Sequence, residues 1–309
     1  MIERVGSWDY GNSLFNEYAR IQARARQTTE QISSGKVGDQ YADVGDKASV
    51  LATAKISAAG IEAFSQSTTE VLTRLNIQDL HLQQLSDLSA RLRGAIGDAI
   101  STGHAPAFMD EIKNLFEEAT GILNAKVDGK YIYGGSRTDQ PPVNVTTLAA
   151  LVAAPTTADV FDNSTLKQTQ RLDENETMET GILASDVGTD LMQLFKDIAT
   201  FDAGAGGPLG MNLTAAQSAF LSTEHAAVPA AQQAINVIAG MNGSRHEQAT
   251  NVRDRHESMA AYFAKFIGDI ENVDLAEALT RLNQDQAAAE AAGRMIAQIN
   301  QMSLLNFIR

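Results

Sequence analysis

Helical hydrophobic spacing fills both ends of this chain and is missing from its middle. Residues 14–135 and about 230–309 carry apolar side chains at the rhythm of long helices, whereas residues 136–228 are rich in Thr, Asn, Gly and Pro and lose it. Helices from opposite ends of a chain can pack together only if the intervening segment leaves and returns. The pattern therefore predicts a mainly α protein with an inserted α+β domain. The N- and C-terminal helices would form a long antiparallel coiled-coil stem, and the insert a variable outer domain. The expected divisions are 1–135 (N-terminal stem), 136–228 (inserted domain with β-hairpins and short helices) and 229–309 (C-terminal stem packing on the N-terminal half).

Leu14, Tyr18, Ile21, Ala25, Thr28 and Ile32 step by 4-3-4-3-4, the narrow seam of a coiled coil. Gly35 is placed to cap that helix in the left-handed conformation, and residues 37–47 read as an irregular loop. A second helix is expected over about 48–101, with Val71, Leu75, Leu82, Leu85, Leu92 and Ile96 on its seam and Gln78 and Ser89 interrupting it. Polar residues at such positions weaken a coiled coil but help to fix its register. After the turn at Gly103–Pro106, Phe108, Ile112, Leu115, Ala119, Ile122 and Lys126 predict a third helix. In the middle region, 165–172 and 176–182 could pair as a hairpin across Asp173-Glu174-Asn175. Leu191, Leu194, Phe195 and Ile198 predict a short helix capped near Thr189 or Asp190, and residues 202–210 a flexible loop. Pro229 reads as the start or kink of the next helix, which carries Val252, His256, Met259, Phe263, Phe266 and Ile270. Asp274 is the expected N-cap of a last helix, with Glu277 completing a capping box. That helix bears Leu275, Leu279, Leu282, Ala288, Ala292, Met295, Ile299, Met302 and Leu305, and ends in Leu304-Leu305-Asn306-Phe307-Ile308. An apolar terminus of this kind is prone to aggregate unless covered. The expected assembly surface is Leu14, Tyr18, Ile21, Ile32, Leu282, Met295, Ile299, Met302, Leu305 and Phe307.

The balance of 24 basic and 38 acidic residues, a net charge of −14, argues against nucleic acid and against an anionic membrane surface as partners. Without cysteine there is no disulfide, thiolate metal site or thiol nucleophile. The first residues lack the apolar run of a secretory signal peptide, so any export is expected to proceed without a cleaved signal.

Catalytic patterns are not evident. The triplets Arg245-His246-Glu247 and Arg255-His256-Glu257 place their histidines ten residues apart, roughly 80° out of phase on a helix, with no third ligand nearby. They read as polar groups on a solvated or subunit-facing surface. Gly204, Gly206 and Gly210 fit a linker better than a phosphate loop, since Leu209 stands where the dinucleotide fingerprint needs glycine. Asn144, Asn163, Asn175, Asn212 and Asn242 begin Asn-x-Ser/Thr triplets, expected by chance in loops rich in these residues. No catalytic group, cofactor or metal is expected.

Four segments resemble the flagellin superfamily. Gln31-Ile32-Ser33-Ser34-Gly35-Lys36 is similar to its helix-ending Ser-Gly-Lys/Arg signature. Asp274-Leu275-Ala276-Glu277-Ala278 and Gln301-Met302-Ser303-Leu304-Leu305-Asn306-Phe307 resemble its closing helix. The run from Gly129-Lys130-Tyr131-Ile132-Tyr133-Gly134-Gly135 to Pro141-Pro142 is similar to the segment of hook–filament junction proteins where the stem turns into the outer domain. Residues 37–46 depart from the pattern of an Arg followed by paired Asp that the family usually has there. The resemblance implies a non-enzymatic subunit of a ring in the bacterial flagellum. Its neighbours would be an adjacent hook-associated protein and flagellin, it would be exported by the flagellar type III pathway with a chaperone, and it would be extracellular. It also implies terminal helices that order on assembly. A flagellin filament subunit and a secreted binding module or adhesin with a helical stem are the rival expectations.

Overall fold

The structure, a computed structural model, describes the backbone of residues 3–38 and 40–307 and the side chains of 12–38 and 40–298. Among the described residues seven α-helices follow in order: α1 (Glu3–Ser34), α2 (Ala48–Thr102), α3 (Phe108–Leu123), α4 (Leu148–Ala153), α5 (Ala184–Ala203), α6 (Ala215–Glu271) and α7 (Leu275–Phe307). Two antiparallel hairpins interrupt them: β1 (Lys126–Val127) with β2 (Lys130–Tyr131), and β3 (Thr169–Asp173) with β4 (Glu176–Glu179). The fold is mainly α, with long helices and two small hairpins among the described residues. Contacts group the chain into a terminal unit, residues 1–60 with 259–309, and a middle unit, residues 61–258. These divisions fall inside α2 and α6.

The middle unit holds most of the core. From α2, Leu82, Leu85, Leu88, Leu92 and Ile96 are buried against Ile112, Leu115 and Phe116 of α3, Leu191, Phe195 and Ile198 of α5, and Leu221, Val228 and Ile235 of α6. Phe116 and Phe195 meet edge to face, their centroids 5.8 Å apart. The two polar interruptions of the α2 seam are buried with it. Gln78 Nε2 donates to the Thr180 carbonyl at 3.1 Å, and Ser89 Oγ donates back to the Leu85 carbonyl at 2.9 Å. Asn242 of α6, also buried, donates from Nδ2 to the Leu75 carbonyl at 2.9 Å. Such amides tie helices in one register because sliding by a turn would strand them in an apolar interior.

The Gly129–Gly135 run is explained by its backbone. Asp128 and Gly129 have φ of 50° and 77°, which turns β1 into β2 in the fewest residues. Ile132 and Tyr133 then plunge into the core. Gly135 sits at φ +64°, where a Cβ would lie 2.6 Å from the Leu166 carbonyl oxygen, so no other residue fits without strain.

The second hairpin pairs Thr169 with Glu179 and Asp173 with Glu176, a shorter ladder than the sequence suggested, with an irregularity between Arg171 and Asp173. Leu172 and Met178 pack with Val71, Leu75, Ala249 and Val252 in a small separate cluster.

Several expectations need correction. Residues 41–47 form a 3₁₀ turn (Tyr41–Lys47) kinked at Gly45, organised by the reciprocal cap of Gln40 and Asp43. Helix α5 begins at Ala184, not near Thr189 or Asp190, and its N-cap Leu183 supplies no side-chain hydrogen bond. Pro229 lies inside α6. The real start is a capping box in which Thr214 N donates to Gln217 Oε1 and Gln217 N donates to Thr214 Oγ1. An interior proline removes one helical hydrogen bond, and the burial of Val228 and Ala231 on either side of it offsets that loss. Asp274 does cap α7, Oδ1 accepting from the backbone of Ala276 and Glu277. The carboxylate of Glu277 is taken by Arg281 instead of completing a box.

Candidate assembly surface

In the terminal unit α1 and α7 pack side by side and antiparallel. Arg24 Nη2 meets Asp285 Oδ1 at 3.0 Å, and the ends of the pair are joined at an antiparallel bridge between Lys36 and Asn272. There Val37 N donates to the Glu271 carbonyl and Val273 N to the Gly35 carbonyl. Gly35 takes φ +73° and releases α1 into this bridge. Glu271 also accepts from Lys55, whose ammonium lies 5.5 Å from the Tyr41 ring centroid.

The α1 seam faces inward. Ile21 and Thr28 are buried and Leu14, Tyr18, Ala25 and Ile32 half-buried, while the residues between them are mostly exposed. On α7 the inner face is Ala278, Leu282, Asp285, Ala289, Ala292 and Ile296, again at 4-3-4-3-4 spacing. This differs from the stripe expected from sequence. Leu275, Leu279 and Met295, counted there as seam residues, are each about half exposed: 51%, 49% and 51%. The reason is steric. Three of the six inner positions are alanines, which lets the helices approach closely, and Leu282 and Ile296 pack between them, while Leu275, Leu279 and Met295 flank the seam.

The expected surface residues thus divide. Leu14, Tyr18, Ile21, Ile32 and Leu282 lie along the α1–α7 pairing. Met295 lies on the open face. The side chains of Ile299, Met302, Leu305 and Phe307 lie outside the described residues. Sequence reasoning passed over Phe15, Val50, Ile56 and Tyr262 as surface residues, all exposed in this unit. A groove of about 530 Å³ runs between Val50, Thr53 and Ala54 of α2 and Tyr262, Phe263 and Phe266 of α6. Among described residues, the buried apolar side chains of the terminal unit are Ile21, Leu51, Ala54, Ala278 and Ala292. Nine large apolar residues of the same unit are exposed: Phe15, Tyr41, Val50, Ile56, Met259, Tyr262, Leu275, Leu279 and Met295. Among the described residues this unit therefore exposes more bulky apolar groups than it buries.

The other candidate sites fall away. His256 is not solvated, as expected from sequence, but 1% exposed, stacked on Phe64 with Nε2 3.5 Å from Asp173 Oδ2. Arg245 and Arg255, its neighbours in the two triplets, bind Glu179 and Glu176 of the second hairpin at 2.6 and 2.7 Å. Asn242, in one of the five Asn-x-Ser/Thr triplets, is buried, and the amides of Asn144 and Asn163 are spent on hydrogen bonds to the Asp159 and Ser164 carbonyls. Among the described residues no three His, Asp or Glu side chains converge as metal ligands, and no helix is long and apolar enough to cross a membrane.

Residues 226–308 match the family described as the bacterial flagellin C-terminal helical region. No curated protein matches the chain in sequence. Among solved structures the fold is similar to a putative flagellar hook-associated protein from Vibrio parahaemolyticus, with a TM-score of 0.59 at 14% identity, covering 73% of this chain and 97% of that one. It is also similar to Bacillus cereus FlgL, with a TM-score of 0.56 at 13% identity, covering 70% of this chain and 99% of that one. The class is therefore a protein of flagellin-like fold, built on long terminal helices. Within that class, the sequence likeness to the flagellin C-terminal helical region is confined to residues 226–308.

Proposed function

We propose that this chain is a non-enzymatic structural subunit of the bacterial flagellum, forming the junction ring between hook and filament through its terminal helices. The observation that carries the reading is the terminal unit's exposed apolar groups, with Leu275 and Leu279 on one flank of the α7 seam and Met295 on the other. In the ring, those groups are covered by neighbouring copies, by the adjacent hook-associated protein on one side and by flagellin on the other. The subunit is exported without a cleaved signal by the flagellar type III route, accompanied by a chaperone. The α1–α7 pair buries little within one chain, so its order is coupled to assembly. The similarity of residues 226–308 to the flagellin C-terminal region suits a filament subunit equally, and one experiment separates the two. Deletion of the gene, followed by electron microscopy of the cell surface and a blot of the medium for flagellin, should show bare hooks and shed flagellin. Filaments of normal length would refute the junction role and favour a redundant flagellin.

A further inference from the structure

A polar recess of about 530 Å³ opens in the middle unit between α2, the turn of the first hairpin and the second hairpin. Arg74 and Thr180 form its inner part, while Thr73, Glu70, Asp128 and Lys130 are exposed around it. Arg74 is half-buried, and its guanidinium donates to Gln168 Oε1. Gln168 is itself held by the Gly135 carbonyl, which accepts from Nε2 at 2.8 Å, so the partner cannot follow Arg74 elsewhere. Among the described residues no carboxylate comes within 4.0 Å of this guanidinium, although Glu70 stands one turn before it on the same helix. Burial pushes Arg74 below the usual arginine range, with no nearby acid to counter the shift. A guanidinium has five donors in a planar fork, and here a neutral amide engages one edge of it.

We infer that this recess is an oxyanion site, in which Arg74 grips a carboxylate or phosphate group by its fork and Lys130 adds a second positive charge at the mouth. The half-buried fork outweighs Glu70 and Asp128, because exposed carboxylates are hydrated and screened by salt, whereas a partly buried cation is screened less. A bound oxyanion would supply the charge-assisted pair that Gln168 cannot. The same chemistry comes from a free small anion or from an Asp or Glu side chain of a second copy of this acidic chain. The inference stands apart from the flagellar assignment.

The test uses the purified full chain with inorganic phosphate and acetate as probes, at constant ionic strength in chloride. Saturable shifts of the Arg74 side-chain Nε–H and the Thr180 amide resonance are expected. Arg74→Gln should weaken binding about tenfold or more, and Glu70→Gln should keep or tighten it. Should Arg74→Gln disturb folding by circular dichroism, Arg74→Lys, which keeps the charge but loses the fork, should weaken binding without that effect. Sedimentation distinguishes the sources. Phosphate that dissolves self-association in the wild type but not in Arg74→Gln identifies a carboxylate of another copy, whereas saturable binding at unchanged mass identifies a free anion. Absence of saturation, or equal binding by wild type and both Arg74 variants, would overturn the inference.

Discussion

The two faces of the terminal helices can be separated by substitution, because one is used within the chain and the other is not. Ile21 is 5% exposed on the inner seam of α1, so Ile21→Ala should remove a buried side chain and leave a gap against α7. Core truncations of this kind cost about 2–5 kcal/mol, and a two-helix seam that relaxes easily belongs at the lower end, about 2 kcal/mol. Leu279 and Met295 have already left half their surface in water, so Leu279→Asp and Met295→Asp should change the free chain by no more than about 0.5 kcal/mol. In an assembly the balance reverses. Burying the remaining half of a Leu or Met contributes about 1 kcal/mol, and an Asp there must be desolvated without a partner, at a cost of several kcal/mol. The apparent affinity of subunit for subunit should fall by about 100-fold or more for each charge introduced. Chemical denaturation of the free chain, followed by amide exchange in α1 and α7, reads the first effect. Incorporation of added subunits into flagella of a deletion strain reads the second. Normal incorporation of both charged variants would show that the outer face of α7 is not an assembly surface. An Ile21→Ala chain with unchanged amide exchange would show that the α1–α7 pairing is not formed in solution.

Three further expectations are simpler. Circular dichroism should show more helix per residue in assembled protein than in the monomer, and equal content would sink the coupling of order to assembly. Asp173 is held below the usual carboxylate range mainly by the backbone N–H of Glu174, and Glu176 mainly by Arg255 and then Gln248. Depressed carboxylates contribute stability that is complete above their unfolded values of about 4 and lost as pH falls through the folded ones. Proteolysis of the second hairpin should therefore accelerate below about pH 4, and less steeply in Arg255→Gln; a pH-independent rate would contradict this account. Gly135→Ala should destabilise the chain by about 2 kcal/mol or more in urea, since the new Cβ meets a backbone oxygen at positive φ, and a neutral result would mean that Leu166 and its loop give way.

What the sequence discloses about this fold depends on how often a signal repeats and how far its partners lie. The α2 seam was legible down to Gln78 and Ser89 because 55 residues of helix repeat the pattern many times. The left-handed cap at Gly35 was legible because a φ constraint is local. The start of α6 was equally local, written in Thr214 and Gln217, but Pro229 offered a more conspicuous false start. The environments of His256 and Arg74 were hidden because Asp173 and Gln168 approach them from 83 and 94 residues away. The face of α7 failed for a different reason. Reading a seam from its largest side chains assumes that the largest are the most buried, and on α7 alanines share the seam with Leu282 and Ile296 instead. Alanine at the inner positions lets α1 and α7 come close, which leaves Leu275, Leu279 and Met295 with nothing in their own unit to cover them. In a chain that folds alone such residues would be a liability. Leu275 and Leu279 border the α1–α7 contact on one flank and Met295 on the other, so helices laid alongside the pair would cover them.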